Sequence, residues 1–220
     1  MTSPSGHLFP RQRLIIQGVN CMRGGRSLVR DFSLVLGGGE ALVLTGPNGV
    51  GKTSLLRLMA GLLAPADGTI RFDAEPGRTD RTLSEDCHFV GAQDALTPEL
   101  SVIEHIRFWA RLLGDDTGSE AAAFSILDAL GIGHLETMPA GYLSSGQRRR
   151  LSLARLLAVP RPLWLLDEPT NALDTAGRER LRILIARHRA LGGMVVAATH
   201  DPLELPDAME LDLISMAGVR

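Results

Sequence analysis

The stretch Gly46-Pro47-Asn48-Gly49-Val50-Gly51-Lys52-Thr53 decides the fold. It follows the apolar run 41–45, which is typical of a buried strand, and it precedes residues 54–63, whose apolar spacing predicts a helix. A glycine-rich loop between a strand and a helix is the context of a phosphate-binding loop. Its glycines allow successive N–H groups to point at an anion, and the helix start adds a positive dipole. We therefore predict that Gly46 through Ser54 bind a nucleotide.

Two side chains of this loop and two carboxylates much later in the chain predict the chemistry. Lys52 offers a mobile positive charge to the β- and γ-phosphates, and the Thr53 hydroxyl is a natural Mg²⁺ ligand. The apolar run 163–166 ends in Asp167 and Glu168, where an open α/β sheet binds its ligands. Asp167 is predicted to hold Mg²⁺, directly or through water, and Glu168 to orient and polarise an attacking water.

Length and composition are those of an ordinary globular protein. The chain has 220 residues, 45% of them hydrophobic and 22% charged, which is enough for one sizeable globular domain. A formal net charge of −2 gives no general electrostatic reason to bind nucleic acid, and no such partner is expected. Cys21 and Cys87 stand far apart without a CxxC, so we predict two free thiols in a reducing cytoplasm.

The pattern along the chain predicts an α/β fold. Residues 14–16 and 32–36 are candidate strands, and the polar run 73–86 is predicted to be a surface loop. Apolar residues recur at helical spacing from about residue 93 to 150, which predicts a helical subdomain. Strands then alternate with helices, which indicates a mostly parallel central sheet. We expect a disordered lead over residues 1–12 and a single domain over 13–220.

A second candidate anion site lies in Leu143-Ser144-Ser145-Gly146-Gln147. This run precedes a predicted helix that contains Leu151 and Leu157, and hydroxyl groups with a glycine at a helix start can bind an anion. One loop already accounts for the phosphates of a nucleotide. The second site is therefore expected to serve another nucleotide, on another subunit.

Five motifs in order, GPNGVGKT, LSSGQ, WLLDEP, NALD and ATH, resemble the ATP-binding cassette ATPases that drive membrane transporters. The resemblance covers residues 14–205. It implies a P-loop NTPase fold with an antiparallel β portion near the N-terminus, ATP and Mg²⁺ as cofactors, and a homodimer in the ATP-bound state. In that dimer, Ser144, Ser145, Gly146 and Gln147 of one copy would close over the ATP of the other, and hydrolysis would power an integral membrane permease.

The resemblance also implies roles for single residues. Asp174, in the run 171–174, would belong to the D-loop between subunits, and His200 would be the switch histidine that contacts the γ-phosphate. Arg23 stands where the family has an aromatic residue that stacks on adenine; it either stacks there instead or is a solvated loop arginine. The family's Mg²⁺-linking glutamine falls on Ala92 by spacing, so either Gln93 is that metal ligand or the ligand is missing.

These two departures, together with residues 24–26, 146–151, 160–166 and 197–200, resemble the ATP-binding subunits of haem exporters used in bacterial cytochrome c maturation. That resemblance implies a permease of the haem export complex as partner and a peripheral location on the cytoplasmic face of the inner membrane. No CxxCH and no His-rich tract is present, so no direct haem binding is expected. Two alternatives stay open: export of another small molecule, and a nucleotide-gated regulatory module without hydrolysis.

Overall fold

The computed structural model describes residues 8–9, 12–23, 26–73, 82–114, 120–201 and 203–216. These residues divide into two compact units, which are described separately. The first unit comprises the described residues within 1–91, 161–169 and 185–220, and the second those within 92–160 and 170–184. The single domain over 13–220 and the boundaries of its helical subdomain stay predictions.

An antiparallel sheet of the first unit has the strand order β2-β1-β4. In β2 the side chains of Phe32 and Leu36 are buried, whereas Asp31, Ser33 and Val35 are exposed. This period of two arises because successive side chains of a strand point to opposite faces. Strand β1 pairs antiparallel with both β2 and β4, so the antiparallel portion near the N-terminus is confirmed. Its strands are β1 (Arg13–Arg23), β2 (Arg26–Gly37) and β4 (Asp67–Asp73).

A second sheet of the first unit has five strands in the order β5-β6-β7-β3-β8, and every neighbouring pair in it is parallel. All residues of β6 and β7 are buried, as expected for parallel strands that are covered on both faces. The predicted mostly parallel sheet is confirmed, with one added edge strand, β8, that the sequence did not indicate. The strands are β3 (Ala41–Thr45), β5 (Cys87–Val90), β6 (Leu163–Asp167), β7 (Met194–Ala198) and β8 (Met209–Asp212).

Three helices belong to the first unit: α1 (Lys52–Met59), α2 (Leu83–Asp86) and α8 (Leu213–Met216). Leu55, Leu56 and Met59 of α1 join side chains of both sheets in one hydrophobic core. The predicted loop over 73–86 was wrong at its end, because α2 forms there; residues 74–81 lie outside the described part of the chain. Thr82 and Glu85 cap α2 reciprocally, which satisfies two backbone N–H groups at its start.

The second unit is helical. Val102, Ile106 and Trp109 are buried along one face of α3, in agreement with the predicted helical spacing. The helix predicted to contain Leu151 and Leu157 is two helices, α5 and α6, that meet at Ala154. The helices are α3 (Val102–Leu112), α4 (Glu120–Ala129), α5 (Ser145–Leu153), α6 (Arg155–Ala158) and α7 (Thr175–Ala190), whose last six residues belong to the first unit.

Helix α7 ends in a glycine cap. Gly192 has a φ of 87°, which a residue with a Cβ rarely adopts. Its N–H donates to the carbonyl of Arg189, and the N–H of Gly193 donates to the carbonyl of His188, both at 2.9 Å. These two bonds satisfy the last carbonyls of the helix in a Schellman motif and direct the chain into β7.

His188 lies in an aromatic cluster of the first unit. Its ring stacks on Trp164 of β6 with centroids 3.9 Å apart, and Phe9 packs edge-on against it at 5.7 Å. Phe9 is buried, and its N–H donates to the carbonyl of Leu191. Of the predicted lead over residues 1–12, the structure describes only Leu8, Phe9 and Gln12, so disorder of the lead as a whole stays a prediction.

The buried imidazole of His188 predicts how stability depends on pH. Burial lowers the pKa of His188 from 6.5 to about 4, so the unfolded chain binds a proton that the folded chain does not. The stabilisation is present above pH 6.5 and is lost as the pH falls toward 4. We expect urea unfolding to show a loss of about 2 kcal/mol between pH 7.5 and 5 from this group. His188→Phe should lose this part of the pH dependence; equal slopes in both proteins would contradict the assignment.

Candidate functional site

Three neighbouring strands of the parallel sheet end at the same edge, and each delivers predicted site residues there. The glycine loop follows β3, Asp167 and Glu168 stand at the end of β6, and His200 follows β7. In the strand order β6-β7-β3, these three ends are adjacent. The carboxyl edge of a parallel sheet is where open α/β folds bind ligands.

The glycine loop requires its glycines. Gly46, Gly49 and Gly51 have φ values of 129°, 82° and 123°, which residues with a Cβ rarely adopt. A Cβ on Gly51 would also lie 3.1 Å from the Cβ of Leu28. Pro47, Asn48 and Gly49 at the tip of the loop are exposed, and α1 begins at Lys52 with Ser54 buried. The loop therefore presents its tip to solvent directly before the start of a helix, which is the arrangement of an anion site.

Lys52 is held inside this loop. Its side chain is buried, and Nζ donates to the carbonyl of Gly46 at 2.6 Å and to that of Pro47 at 3.4 Å. Nζ also lies 3.9 Å from Oε1 of Glu168. Lys52 is the only lysine of the chain, and the other 22 of its 23 lysine and arginine residues are arginine. Its ammonium group is thus fixed between the loop and the end of β6.

Thr53 and Asp167 form a hydroxyl–carboxylate pair. Oγ1 of Thr53 donates to Oδ2 of Asp167 at 2.9 Å. Burial raises the pKa of the Asp167 carboxyl, and the bond from Thr53 opposes that rise. A hydroxyl and a carboxylate oxygen at one place are the donors that Mg²⁺ prefers in proteins.

Glu168 has a backbone conformation that aims its side chain. Its φ is 47°, in the left-handed region, which costs a residue with a Cβ roughly 1–2 kcal/mol. Its N–H donates to the carbonyl of Ala198 at 2.8 Å, and this bond fixes the strained position. Oε2 accepts from Nδ1 of His200 at 2.9 Å and from its backbone N–H at 3.4 Å. The carboxylate thus lies between Lys52 and His200.

Thr199 positions His200, a role that the sequence interpretation missed. The Thr199 N–H donates to the carbonyl of Leu44, which fixes the end of β7 against β3. Its hydroxyl donates to the Asp201 carbonyl and accepts from the Asp201 N–H, both at 3.0 Å. A threonine directly after a buried strand and before a polar turn is a signal for such a local turn, and it could have been recognised.

The contact between His200 and Glu168 predicts a raised pKa for the His200 imidazole. The hydrogen bond to Glu168 and the charges of Glu168 and Asp201 raise the pKa of His200 above 6.5, because they favour the protonated ring. The imidazolium therefore persists to higher pH than in the unfolded chain. We expect an NMR titration to show this pKa above 6.5, and Glu168→Gln to lower it. The NMR signal of His200 is identified by its loss in His200→Gln. An equal pKa of His200 in the wild type and in Glu168→Gln would contradict the contact.

The second unit contains the residues predicted to act on the ATP of another subunit. Oγ of Ser144 accepts from the N–H of Gln147 at 3.3 Å, and Oε1 of Gln147 accepts from the N–H of Ser144 at 2.8 Å. Ser145 follows at the start of α5. A Cβ on Gly146 would lie 2.9 Å from the carbonyl oxygen of Ala172, so this position requires glycine. The motif is thus a rigid, reciprocally capped helix start.

The remaining predicted residues have the following places. Asp174 caps α7, because its Oδ1 accepts from the N–H of Gly177 at 2.8 Å; its Oδ2 also pairs with Arg150 at 3.3 Å. Gln93 is exposed in a bend of the second unit. The side chain of Arg23 lies outside the described residues. The roles of these residues stay predictions.

Within the part of the chain that the structure describes, no helix is long and apolar enough to cross a membrane.

A buried lysine in a glycine loop, a hydroxyl–carboxylate pair and a glutamate–histidine pair meet at one sheet edge. This combination defines a P-loop protein that hydrolyses a nucleotide. Residues 29–171 match the family model described as ABC transporter, and the chain belongs to the ABC transporter family. As a member of that family it is an ATP-binding ATP hydrolase.

Curated relatives and solved structures agree with this family. The chain is 53% identical over 187 residues to a cytochrome c biogenesis ATP-binding export protein CcmA of Rhodopseudomonas palustris (strain BisB5), covering 85% of this chain and 91% of the relative. A protein of the same description from Bradyrhizobium diazoefficiens is 50% identical, with 90% and 96% covered. The structure of cbiO1 from Clostridium perfringens, part of the ABC transporter complex cbiONQ, has a TM-score of 0.69 at 30% identity, with 86% and 78% covered.

Proposed function

We propose that the chain is the ATP-hydrolysing subunit of the complex that exports haem for cytochrome c maturation. The observation that carries the hydrolytic part is the Glu168 carboxylate, which stands 3.9 Å from Lys52 and accepts a hydrogen bond from His200 at 2.9 Å. Relatives about half identical over most of their length are described as cytochrome c biogenesis ATP-binding export proteins, which supports the assignment of the complex.

Mg²⁺ is the proposed metal cofactor. The Thr53 hydroxyl and the Asp167 carboxylate already lie together at the end of the glycine loop, so the residues fit a hard divalent cation. Thr53 and Asp167 would hold the ion, directly or through water, and Gln93 is the proposed further ligand. When bound, the ion would polarise the phosphate oxygens and offset their charge.

The residues at the sheet edge have separate roles in the proposed reaction. Lys52 would exchange its bonds to the loop carbonyls for bonds to the β- and γ-phosphates. Glu168 would accept a proton from the water that attacks the γ-phosphorus, so that oxygen bonds to phosphorus as ADP leaves. His200 would hold the Glu168 side chain through Nδ1 and contact the γ-phosphate through its other nitrogen.

A second copy of the chain is the proposed partner in the ATP-bound state. The capped start of α5 at Ser144 and Ser145 has exposed residues, and Asp174 at the start of α7 is also exposed. A two-fold arrangement would place these groups of each copy over the ATP of the other. An integral membrane permease would bind the dimer on the cytoplasmic face of the bacterial inner membrane. Neither nucleic acid nor haem is an expected ligand.

A complementation experiment tests this function. Rhodopseudomonas palustris cells that lack their 53% identical relative would receive this chain, and haem covalently bound to c-type cytochromes would be measured. We expect restoration by the wild type and by Glu179→Gln, which changes an exposed carboxylate, and no restoration by Lys52→Ala or Glu168→Gln. Full restoration by Glu168→Gln but not by Lys52→Ala would favour a nucleotide-gated module. Full restoration by both would contradict a role of ATP, and restoration by no form of the chain would favour another cargo.

A further inference from the structure

The loop that follows β5 is anchored to the helices of the second unit at two points. At Asp94, Nη1 of Arg149 in α5 donates to Oδ1 at 3.4 Å, and Nη2 of Arg155 in α6 donates to the backbone carbonyl at 3.1 Å. At Thr97, the backbone N–H donates to Nε2 of His105 in α3 at 3.0 Å. Three helices thus fix a short stretch of loop.

At the first anchor, the arginine that contacts Asp94 is buried among the helices. The side chain of Arg149 is only 2% exposed, and a buried guanidinium is costly unless a carboxylate balances its charge. The guanidinium carbon of Arg155 lies 5.2 Å from the ring centroid of Trp109 in α3, within the range of a cation–π contact. Asp94 therefore connects the loop to a packed cluster rather than to a solvated side chain.

The second anchor depends on one tautomer of a histidine. Nδ1 of the buried His105 lies 2.9 Å from the carbonyl oxygen of Ser101, which can only accept a hydrogen bond. Nδ1 therefore carries the proton, and Nε2 is left to accept from the Thr97 N–H. The ring spans the loop and the start of α3 with both of its nitrogens.

Between the anchors, the backbone is strained. Ala95 has a φ of 49°, in the left-handed region that a residue with a Cβ avoids. Such a conformation persists when the surrounding structure imposes it. Gln93 directly precedes Asp94 and is exposed in the bend. The anchors thus fix the backbone directly after Gln93.

We propose that Asp94 is a positioning residue that fixes Gln93 to α5, so that the glutamine and the start of that helix move as one body. The inference rests on the proposed function, in which Gln93 reaches Mg²⁺ and the start of α5 reaches the ATP of a second copy. A change at Asp94 would then weaken the Mg²⁺ contact of Gln93 and leave the glycine loop intact.

The test measures how ATP hydrolysis by the full chain depends on Mg²⁺. Asp94→Asn keeps the size and the backbone carbonyl but removes the charge that faces Arg149. We expect the half-saturating Mg²⁺ concentration to rise roughly 10-fold, as for other residues that orient a metal ligand. Binding of a fluorescent ATP analogue without Mg²⁺ should not change. Gln93→Ala should give a similar rise, and the double variant no further rise, because both changes act through one ligand.

Two controls keep the outcome interpretable. Asp128→Asn, at an exposed aspartate of α4, should leave the Mg²⁺ dependence unchanged. If Asp94→Asn does not fold, Arg155→Lys retains a positive charge but loses the Nη2 bond to Asp94, and it should raise the half-saturating concentration in the same direction. An unchanged Mg²⁺ dependence in the variant that folds, or additive effects in the double variant, would overturn the proposal. A failure of the proposed function itself would give a different result, because the wild type would then hydrolyse ATP no faster than Lys52→Ala.

Discussion

Glu168→Gln is expected to lower the rate of ATP hydrolysis by roughly 10²–10⁴-fold, the usual contribution of a general base. The amide keeps the size of the side chain and an oxygen that can accept from His200, so the geometry at the end of β6 should persist. It has no carboxylate to take the proton of the attacking water. ATP affinity should therefore remain within a few-fold of the wild type, because the bonds of the glycine loop are unaffected.

Phosphate release and equilibrium binding of a fluorescent ATP analogue measure the two quantities separately. Glu179→Gln is the matched control, since it makes the same chemical change at an exposed glutamate that pairs with Arg182. An exposed pair of this kind contributes little to stability. A variant at Glu168 that hydrolyses ATP at the wild-type rate would show that the base lies elsewhere.

Lys52→Ala is expected to reduce kcat/KM for ATP by roughly 10²–10³-fold, comparable with the loss of one preorganised charge stabiliser at a reacting group. The ammonium group is buried between the loop carbonyls and Glu168, so a side chain at the surface cannot supply its positive charge in the variant. Unlike Glu168→Gln, this change should also weaken binding of the ATP analogue. Arg13→Ala, at an exposed arginine paired with Asp73, is the control and should leave both quantities unchanged.

The sequence offers an independent check on the position of the ammonium group. Lys52 is the only lysine, so an amine-directed ATP analogue can modify only this side chain and the chain's N-terminal amine. Peptide mapping should find the label on Lys52, and excess ATP should prevent it. Labelling of Lys52 that ATP does not reduce would contradict a phosphate contact.

The parts of the site on the parallel sheet were predictable from the sequence. Strand β7 is apolar throughout, and β3 and β6 are apolar up to their last residues, Thr45 and Asp167, so the polar residues there mark the end of a buried strand. Parallel strands end at one edge, and the approach of Thr53 to Asp167 across 114 positions follows from that rule. The antiparallel sheet was expected from the family resemblance, whereas the local pattern indicated only candidate strands at residues 14–16 and 32–36.

Other parts were beyond a reading of local pattern. Glu168 has a left-handed backbone conformation that its hydrogen bond to Ala198 maintains. A left-handed residue is usually predicted from a glycine, and the sequence has a glutamate at this position. Strand β8 has only four residues and is mostly exposed, which is too short a pattern to predict a strand, so its pairing with β3 could not be inferred. The bonds of Asp94 reach residues 55 and 61 positions away, and such tertiary contacts have no periodic signature.

We propose that each nucleotide site is completed by a second copy of the chain. The most direct test is the mass of Glu168→Gln in solution with and without ATP and Mg²⁺, measured by light scattering coupled to gel filtration. We expect a monomer of 23.6 kDa without nucleotide, and twice that mass with ATP and Mg²⁺. We also expect Ser144→Arg, at the start of α5, to prevent the doubling. A Glu168→Gln protein that binds ATP and stays at the monomer mass would contradict it.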